Sequence, residues 1–219
     1  MSSSYSVTGE TFYITPTVAN VARKLSKGRV LDAGCGNGVY FPHFNAKEIY
    51  GIEITPEYFK LIDKKKFPKT KIFLKKADVR NMPFKDEYFD FILSSDVIEY
   101  MKKKPELLKT IKELKRVLKF NGILLVTVPH KSSITHLFRK KILPIFLKRE
   151  TDDINFVMGR EFSRKEMEAF GFKTYGCLGW VTTEAIKNKL ISSILDRIFW
   201  YFPVFSGTLV CIYEKESVS

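Results

Sequence analysis

Apolar residues in this chain fall into short runs separated by amphipathic stretches. The run Val30-Leu31-Asp32-Ala33 stops at Gly34-Cys35-Gly36-Asn37-Gly38, the highest glycine density in the sequence, and reads as a strand followed by a tight turn. Glu48 to Ile54 is a second strand with Glu53 near its end. Thr55 and Pro56 supply an N-cap and a first helical residue, which predicts a helix that stops near Lys66 because Pro68 cannot extend it. Lys71-Ile72-Phe73-Leu74 and Tyr88 to Ser95 are a third and a fourth strand. Apolar residues at 107, 108, 111, 114 and 118 form the stripe of a helix from Pro105 to Leu118, closed by Asn121-Gly122. Ile123 to Val128 is more hydrophobic than any earlier run, as a central parallel strand covered on both faces should be.

Strands alternating with helices predict right-handed crossovers and a doubly wound α/β sheet. After Pro129 the alternation lapses. An insertion at about residues 131–160 carries Ile134, Leu137, Phe138, Ile142, Ile145 and Phe146, spaced as the apolar side of short helices broken by Pro144. Ser163-Arg164-Lys165-Glu166 then has the form of a capping box ahead of a short helix ended by Gly171. Two last strands, around 172–180 and 207–215, flank an apolar-rich helix at about 183–202. No repeat or linker is visible, so residues 1–219 are expected to form a single domain with a cap insertion.

At 219 residues the chain can bury one full core, and 45% hydrophobic with 14% aromatic residues excludes wholesale disorder. Cys35, Cys177 and Cys211 are far apart with no Cys-x-x-Cys pair, which indicates neither a disulfide framework nor a zinc site and fits a reducing compartment. His43 and His136 have no second ligand at metal spacing, so no metal is expected. The first residues lack the basic flank and apolar run of a signal peptide, and no apolar stretch is long enough for a membrane span. A cytoplasmic location is the expectation.

The formal charge of +13 is uneven. Residues 60–76 hold eight Lys and one Asp, net +7, and residues 102–149 hold fourteen Lys/Arg and two Glu, net +12, so the remainder is mildly acidic. Within the second segment, 131–149 has six Lys/Arg, no acid and many large apolar residues. It reads either as a packed lid with solvated lysines or as a cap that also meets an anionic lipid surface. The same segments raise a nucleic-acid acceptor as a competing reading.

A glycine-rich turn after the first strand lets backbone approach a ligand, and an acidic residue ending the next strand can accept from a ribose diol. Gly34, Gly36 and Gly38 read G-x-G-x-G, without the G-x-G-x-x-G spacing tied to pyrophosphate, and there is no phosphate loop. A nucleoside ligand lacking a pyrophosphate matches better.

These residues resemble the class I S-adenosylmethionine-dependent methyltransferases, of the small-molecule type seen in ubiquinone and menaquinone biosynthesis. The resemblance runs through Val30 to Gly38, Gly51-Ile52-Glu53, Ala77 to Phe84 with Phe89-Asp90, and Gly122 to Pro129. It implies a Rossmann-like, seven-stranded sheet, mostly parallel with an antiparallel final strand, and S-adenosylmethionine as methyl donor. Carried over by position, it implies that Asp32 and the backbone of Gly34, Cys35 and Gly36 hold the methionine part. It further implies that Glu53 binds the ribose, Ile54 lies on the adenine face, Asp78 and Val79 read the adenine edge, and Ser95 borders the methionine moiety. The chain departs from the family pattern at Asn37, where Thr or Ser is frequent, and at Tyr100, where His often follows Ile-Glu.

In-line methyl displacement gains mainly from alignment and needs a base only for a protonated acceptor. The sequence singles out no catalytic residue; His130, Asp96, Glu99 and Tyr13 are the candidates. The expected reaction is methyl transfer to a small-molecule or lipid-like acceptor. An RNA acceptor and a non-catalytic S-adenosylmethionine-binding protein are the alternatives, and nothing in the sequence addresses oligomeric state.

Overall fold

The apolar runs form strands close to where the pattern puts them. The computed structural model describes residues 6–7, 10–11, 14–131, 159–177, 189–202 and 206–217. A small hairpin pairs β1 (Ser6–Val7) with β2 (Glu10–Thr11). Then come α1 (Pro16–Leu25), β3 (Arg29–Ala33), β4 (Glu48–Glu53), β5 (Lys71–Lys76), β6 (Phe89–Ser95), α2 (Lys104–Val117) and β7 (Leu118–Pro129). The order closes with α3 (Arg164–Ala169), β8 (Lys173–Cys177), α4 (Lys189–Tyr201) and β9 (Thr208–Glu214).

The seven longer strands make one sheet in the order β5-β4-β3-β6-β7-β9-β8. Parallel pairing joins β3 to β4 and β6, and β4 to β5. The final strands are antiparallel. Asn121 N–H donates to Lys215 O and His130 N–H to Gly207 O, so β9 runs against β7. Two compact units are distinguishable: Met1–Ser95 with Lys104–Val126 and Ile212–Ser219, and Asp96–Lys103 with Thr127–Cys211.

In the first unit, β3 and β6 bury Val30, Leu31, Phe89, Phe91, Ile92 and Leu93, and α2 buries Leu107, Ile111, Leu114 and Val117. Each such side chain contributes about 1.5–3 kcal/mol when fully removed from water. Leu108, expected in that stripe, is exposed instead. It sits one residue from Leu107, about 100° further round the helix, and so off the buried face.

Two local expectations are corrected, and one helix is new. The helix expected over 55–66 is two 3-10 segments, Pro56–Leu61 and Lys64–Lys66. The Asp63 carboxylate accepts from the Lys65 N–H, a local bond that competes with helix, and Lys60 and Lys64 stand four apart with like charge. Second, α2 ends at Val117, and Asn121-Gly122 lies inside β7. Asn121 has φ +57° while its N–H pairs across the sheet with Lys215, so the helix-stop signal is a strand irregularity. The new helix, α1, was not apparent in the apolar pattern, because Val18, Ala19 and Ala22 form too short a buried stripe to stand out.

The cap expected at about 131–160 falls almost wholly outside the described residues, as do 178–180 of the penultimate strand and 183–188 of the last long helix.

Candidate active site

The carboxyl ends of β3, β4, β5 and β6 converge at the point where the strand order reverses, the place where open α/β sheets bind ligands. Beyond β3, Gly34, Gly36 and Gly38 take φ of +85°, +48° and +72°, values that an L side chain reaches only with strain. The Ile52 carbonyl accepts from both Gly34 N–H and Cys35 N–H, each at 2.9 Å, which ties the turn to the end of β4. Gly51 makes room for this. A Cβ there would lie 2.8 Å from Cys35 Sγ and 2.9 Å from Phe41 Cζ.

Two carboxylates face this turn. Glu53 accepts from Gly36 N–H (3.1 Å), Ile54 N–H (2.8 Å) and Thr55 N–H (3.1 Å), so backbone alone orients it. Asp32 is 2% exposed, and burial, with the Glu53 charge adding to it, pushes its carboxyl up to about 8. Burial and the same two acids push the Cys35 thiol well up, so Cys35 packs as a neutral side chain.

Asp78 follows β5. Its carboxylate binds Arg80 through Nε (2.9 and 3.0 Å) and Nη2 (2.6 Å) and also takes the Arg80 N–H (2.8 Å). The Arg80 side chain accordingly holds Asp78 below the usual carboxylate range. Val79 is buried, and Ile54 is 57% exposed at the tip of β4, an apolar surface available to a flat ring. Ser95 Oγ donates to Tyr40 Oη at 3.4 Å, and Tyr40 Oη also accepts from Thr15 N–H at 3.3 Å. Tyr40 thereby links the start of α1 to the end of β6. Asn37 Oδ1 and Ser94 Oγ are buried without a hydrogen-bond partner among the described residues.

All nine residues expected to hold the donor lie in the first unit, at these strand ends. The sequence reading missed Tyr40 and gave no role to Gly51 or Arg80, although both lie within the motifs that carry the family resemblance. Arg80 had a signal, an Arg two residues beyond an Asp in a tight turn, whereas Tyr40 and Gly51 depend on contacts far along the chain.

The base candidates are placed differently. Tyr13 lies outside the described residues. Asp96, Glu99 and His130 belong to the second unit. Asp96, at φ +55°, accepts from Thr127 Oγ1 at 3.1 Å. His130 is buried, with Nδ1 3.4 Å from Ser206 Oγ. Glu99 is buried with Oε2 unpartnered among the described residues, and burial, reinforced by the Asp96 charge, raises its carboxyl well above the ordinary range. Among the described residues no cluster of His, Cys, Asp and Glu is arranged to hold a metal.

A family model described as a methyltransferase domain matches residues 31–126. The chain is also 33% identical over 153 residues to an uncharacterized protein of Methanocaldococcus jannaschii, MJ1123, covering 69% of this chain and 67% of that protein. This chain belongs to the S-adenosylmethionine-dependent methyltransferases. The methyltransferase is 33% identical over 114 residues to a tRNA (carboxymethyluridine(34)-5-O)-methyltransferase of Arabidopsis thaliana, covering 52% of this chain and 27% of that one. Its fold matches a solved S-adenosylmethionine-dependent methyltransferase of Thermotoga maritima with TM-score 0.59 and 21% identity, covering 89% of this chain and 86% of that one.

The residues present suit the donor. Buried Asp32 next to Glu53 is a site that favours positive charge, and the donor's sulfonium and ammonium groups carry it. The two orphaned buried oxygens, Asn37 Oδ1 and Ser94 Oγ, are what a polar ligand would leave when absent.

Proposed function

We propose that this methyltransferase acts on a small or lipid-like acceptor. The observation that carries the reading is α4. Ile191, Ile194, Ile198 and Tyr201 follow one another at helical spacing, and all four are exposed, Tyr201 at 76%, with Phe202 continuing the row. The helix packs its other side on β8, where Trp200 stacks on Tyr175 with ring centroids 4.4 Å apart. A helix apolar on both sides, in the unit that also holds Asp96, Glu99 and His130, suits an apolar acceptor.

Bound S-adenosylmethionine supplies an electrophilic methyl on a sulfonium. Within the first unit, Asp32 in its ionised form stabilises the donor's positive charge, and the Gly34 to Gly36 backbone allows close approach. Glu53, already pointed by three amides, would accept from the ribose hydroxyls, and Ile54 would offer its apolar surface to the adenine. Asp78, its carboxylate fixed by Arg80, and Val79 would hold the adenine edge, and Ser95 would hold the methionine end.

The test uses donor carrying a labelled methyl group with a total lipid extract, a small-metabolite fraction and total tRNA as separate acceptors. Label in the lipid or small-metabolite fraction supports the reading. Label confined to tRNA overturns it in favour of the RNA reading, and a protein that binds donor but labels nothing overturns it in favour of a non-catalytic role.

A further inference from the structure

The +7 segment lies at one edge of the sheet. Lys60, Lys64, Lys65, Lys66, Lys69, Lys71, Lys75 and Lys76 are all exposed, on the two 3-10 segments, the turn after them and the outermost strand β5. Among the described residues none of the eight forms an ion pair. Lys64 Nζ caps the Ile72 carbonyl on the free side of β5 at 3.1 Å, which blunts the sheet edge, but one lysine suffices for that. The basic residues at the end of α2 and the start of β7 differ. Arg116 pairs with Asp86 and Glu113, Lys119 with Asp90, and Lys115 sits 3.8 Å over the Tyr213 ring, so part of that charge holds the fold together.

On β5, Lys71, Phe73 and Lys75 share one face by strand alternation. Phe73 is 43% exposed, and its inner side stacks on Tyr50 with ring centroids 4.6 Å apart, so a rigidly backed apolar ring stands between two ammonium groups.

We propose that this sheet edge is an electrostatic docking surface for an anionic lipid bilayer. The partner class follows from the composition and shape of the patch. All eight cations are lysines, point charges suited to a diffuse anionic surface, and no arginine offers the planar fork that reads phosphates and bases of nucleic acid. The lysines lie on both sides of an exposed edge, an arrangement that a broad surface meets more fully than a single strand does. This surface borders the donor site at Lys76, the register partner of Glu53, and does not depend on which acceptor is methylated.

The test is co-sedimentation of the full chain with phosphatidylcholine vesicles, with and without about a third phosphatidylglycerol, at low salt. Two triple variants are compared after circular dichroism shows both folded: Lys65→Gln/Lys66→Gln/Lys69→Gln at the sheet edge and Lys104→Gln/Lys109→Gln/Lys112→Gln on α2. Both remove the same net charge. Binding to the anionic vesicles alone, weakened on the order of 100-fold by the first triple and much less by the second, is the expected result. No binding to anionic vesicles overturns the proposal. So does an equal loss in both triples, which would reflect net charge only. So does binding of single-stranded polyuridylate by a protein that ignores the vesicles, which would assign the edge to nucleic acid.

Discussion

Asp32 is where stability and function pull in opposite directions. Its native carboxyl titrates near 8 because burial and Glu53 disfavour the charge, whereas an unfolded Asp titrates near about 4. Between these values the native state holds a proton that the unfolded state has lost, so this residue lowers stability as pH rises through that window. Asp32→Asn should therefore melt several degrees higher than the parent protein at pH 8 and nearly level with it at pH 4.5, by thermal scans at both. The same change should weaken S-adenosylmethionine binding, because an amide cannot supply the negative charge that the donor's cationic groups require. A variant that melts higher and still binds donor unchanged would separate Asp32 from the site. Glu53→Ala makes a complementary case. Removing the acceptor should weaken donor binding by about 1.5–3 kcal/mol, roughly 10- to 150-fold in calorimetry with S-adenosylhomocysteine. Glu53 and the three glycines were legible in the sequence because their chemistry is local: an acid at a strand end, and turns that demand positive φ. Tyr40 was not, because its role comes from meeting Thr15 and Ser95, 25 and 55 residues away.

Elements were legible in proportion to how much their own sequence decides them. The buried strands β3 and β6 fall where apolar runs predict, because central strands leave little choice of face, and β7 contains its predicted run but begins earlier, at Leu118. The crossover between β4 and β5 was misread as one helix, since its start signal, Thr55-Pro56, is genuine but Asp63 and the lysines after it break the run. At α3 the sequence signal held for half of the motif. Ser163 Oγ accepts from Glu166 N–H at 3.2 Å, as a capping box requires, but the Glu166 carboxylate turns to Arg160. Ser163→Ala should cost about 1 kcal/mol in chemical denaturation, the worth of one N-cap. Gly51→Ala tests the seam between β4 and the glycine turn. The added Cβ has no free space against Cys35, Phe41 and Leu74, so a loss of about 1–3 kcal/mol is expected. Donor binding should fall with it, since the displaced Cys35 belongs to the turn that carries the site.

At the scale of the whole molecule the charge and the apolar surface point the same way. The lysines of the β5 edge and the exposed row on α4 are features that packing does not explain, one in each unit. If the acceptor is lipid-like and the lysine edge brings the enzyme to anionic membranes, salt should act on encounter and leave chemistry alone. Raising salt from about 0.1 M to about 1 M shortens the screening length from roughly 10 Å to roughly 3 Å. With acceptor presented in anionic vesicles, apparent KM should then rise by an order of magnitude or more while kcat stays within about twofold. With the same acceptor dispersed in neutral detergent, both constants should stay nearly flat. A kcat that falls with salt in both formats would place the lysines' effect in the donor site: Asp32 and Glu53 are held by burial and backbone amides, and among the described residues none of the eight lysines forms an ion pair with either.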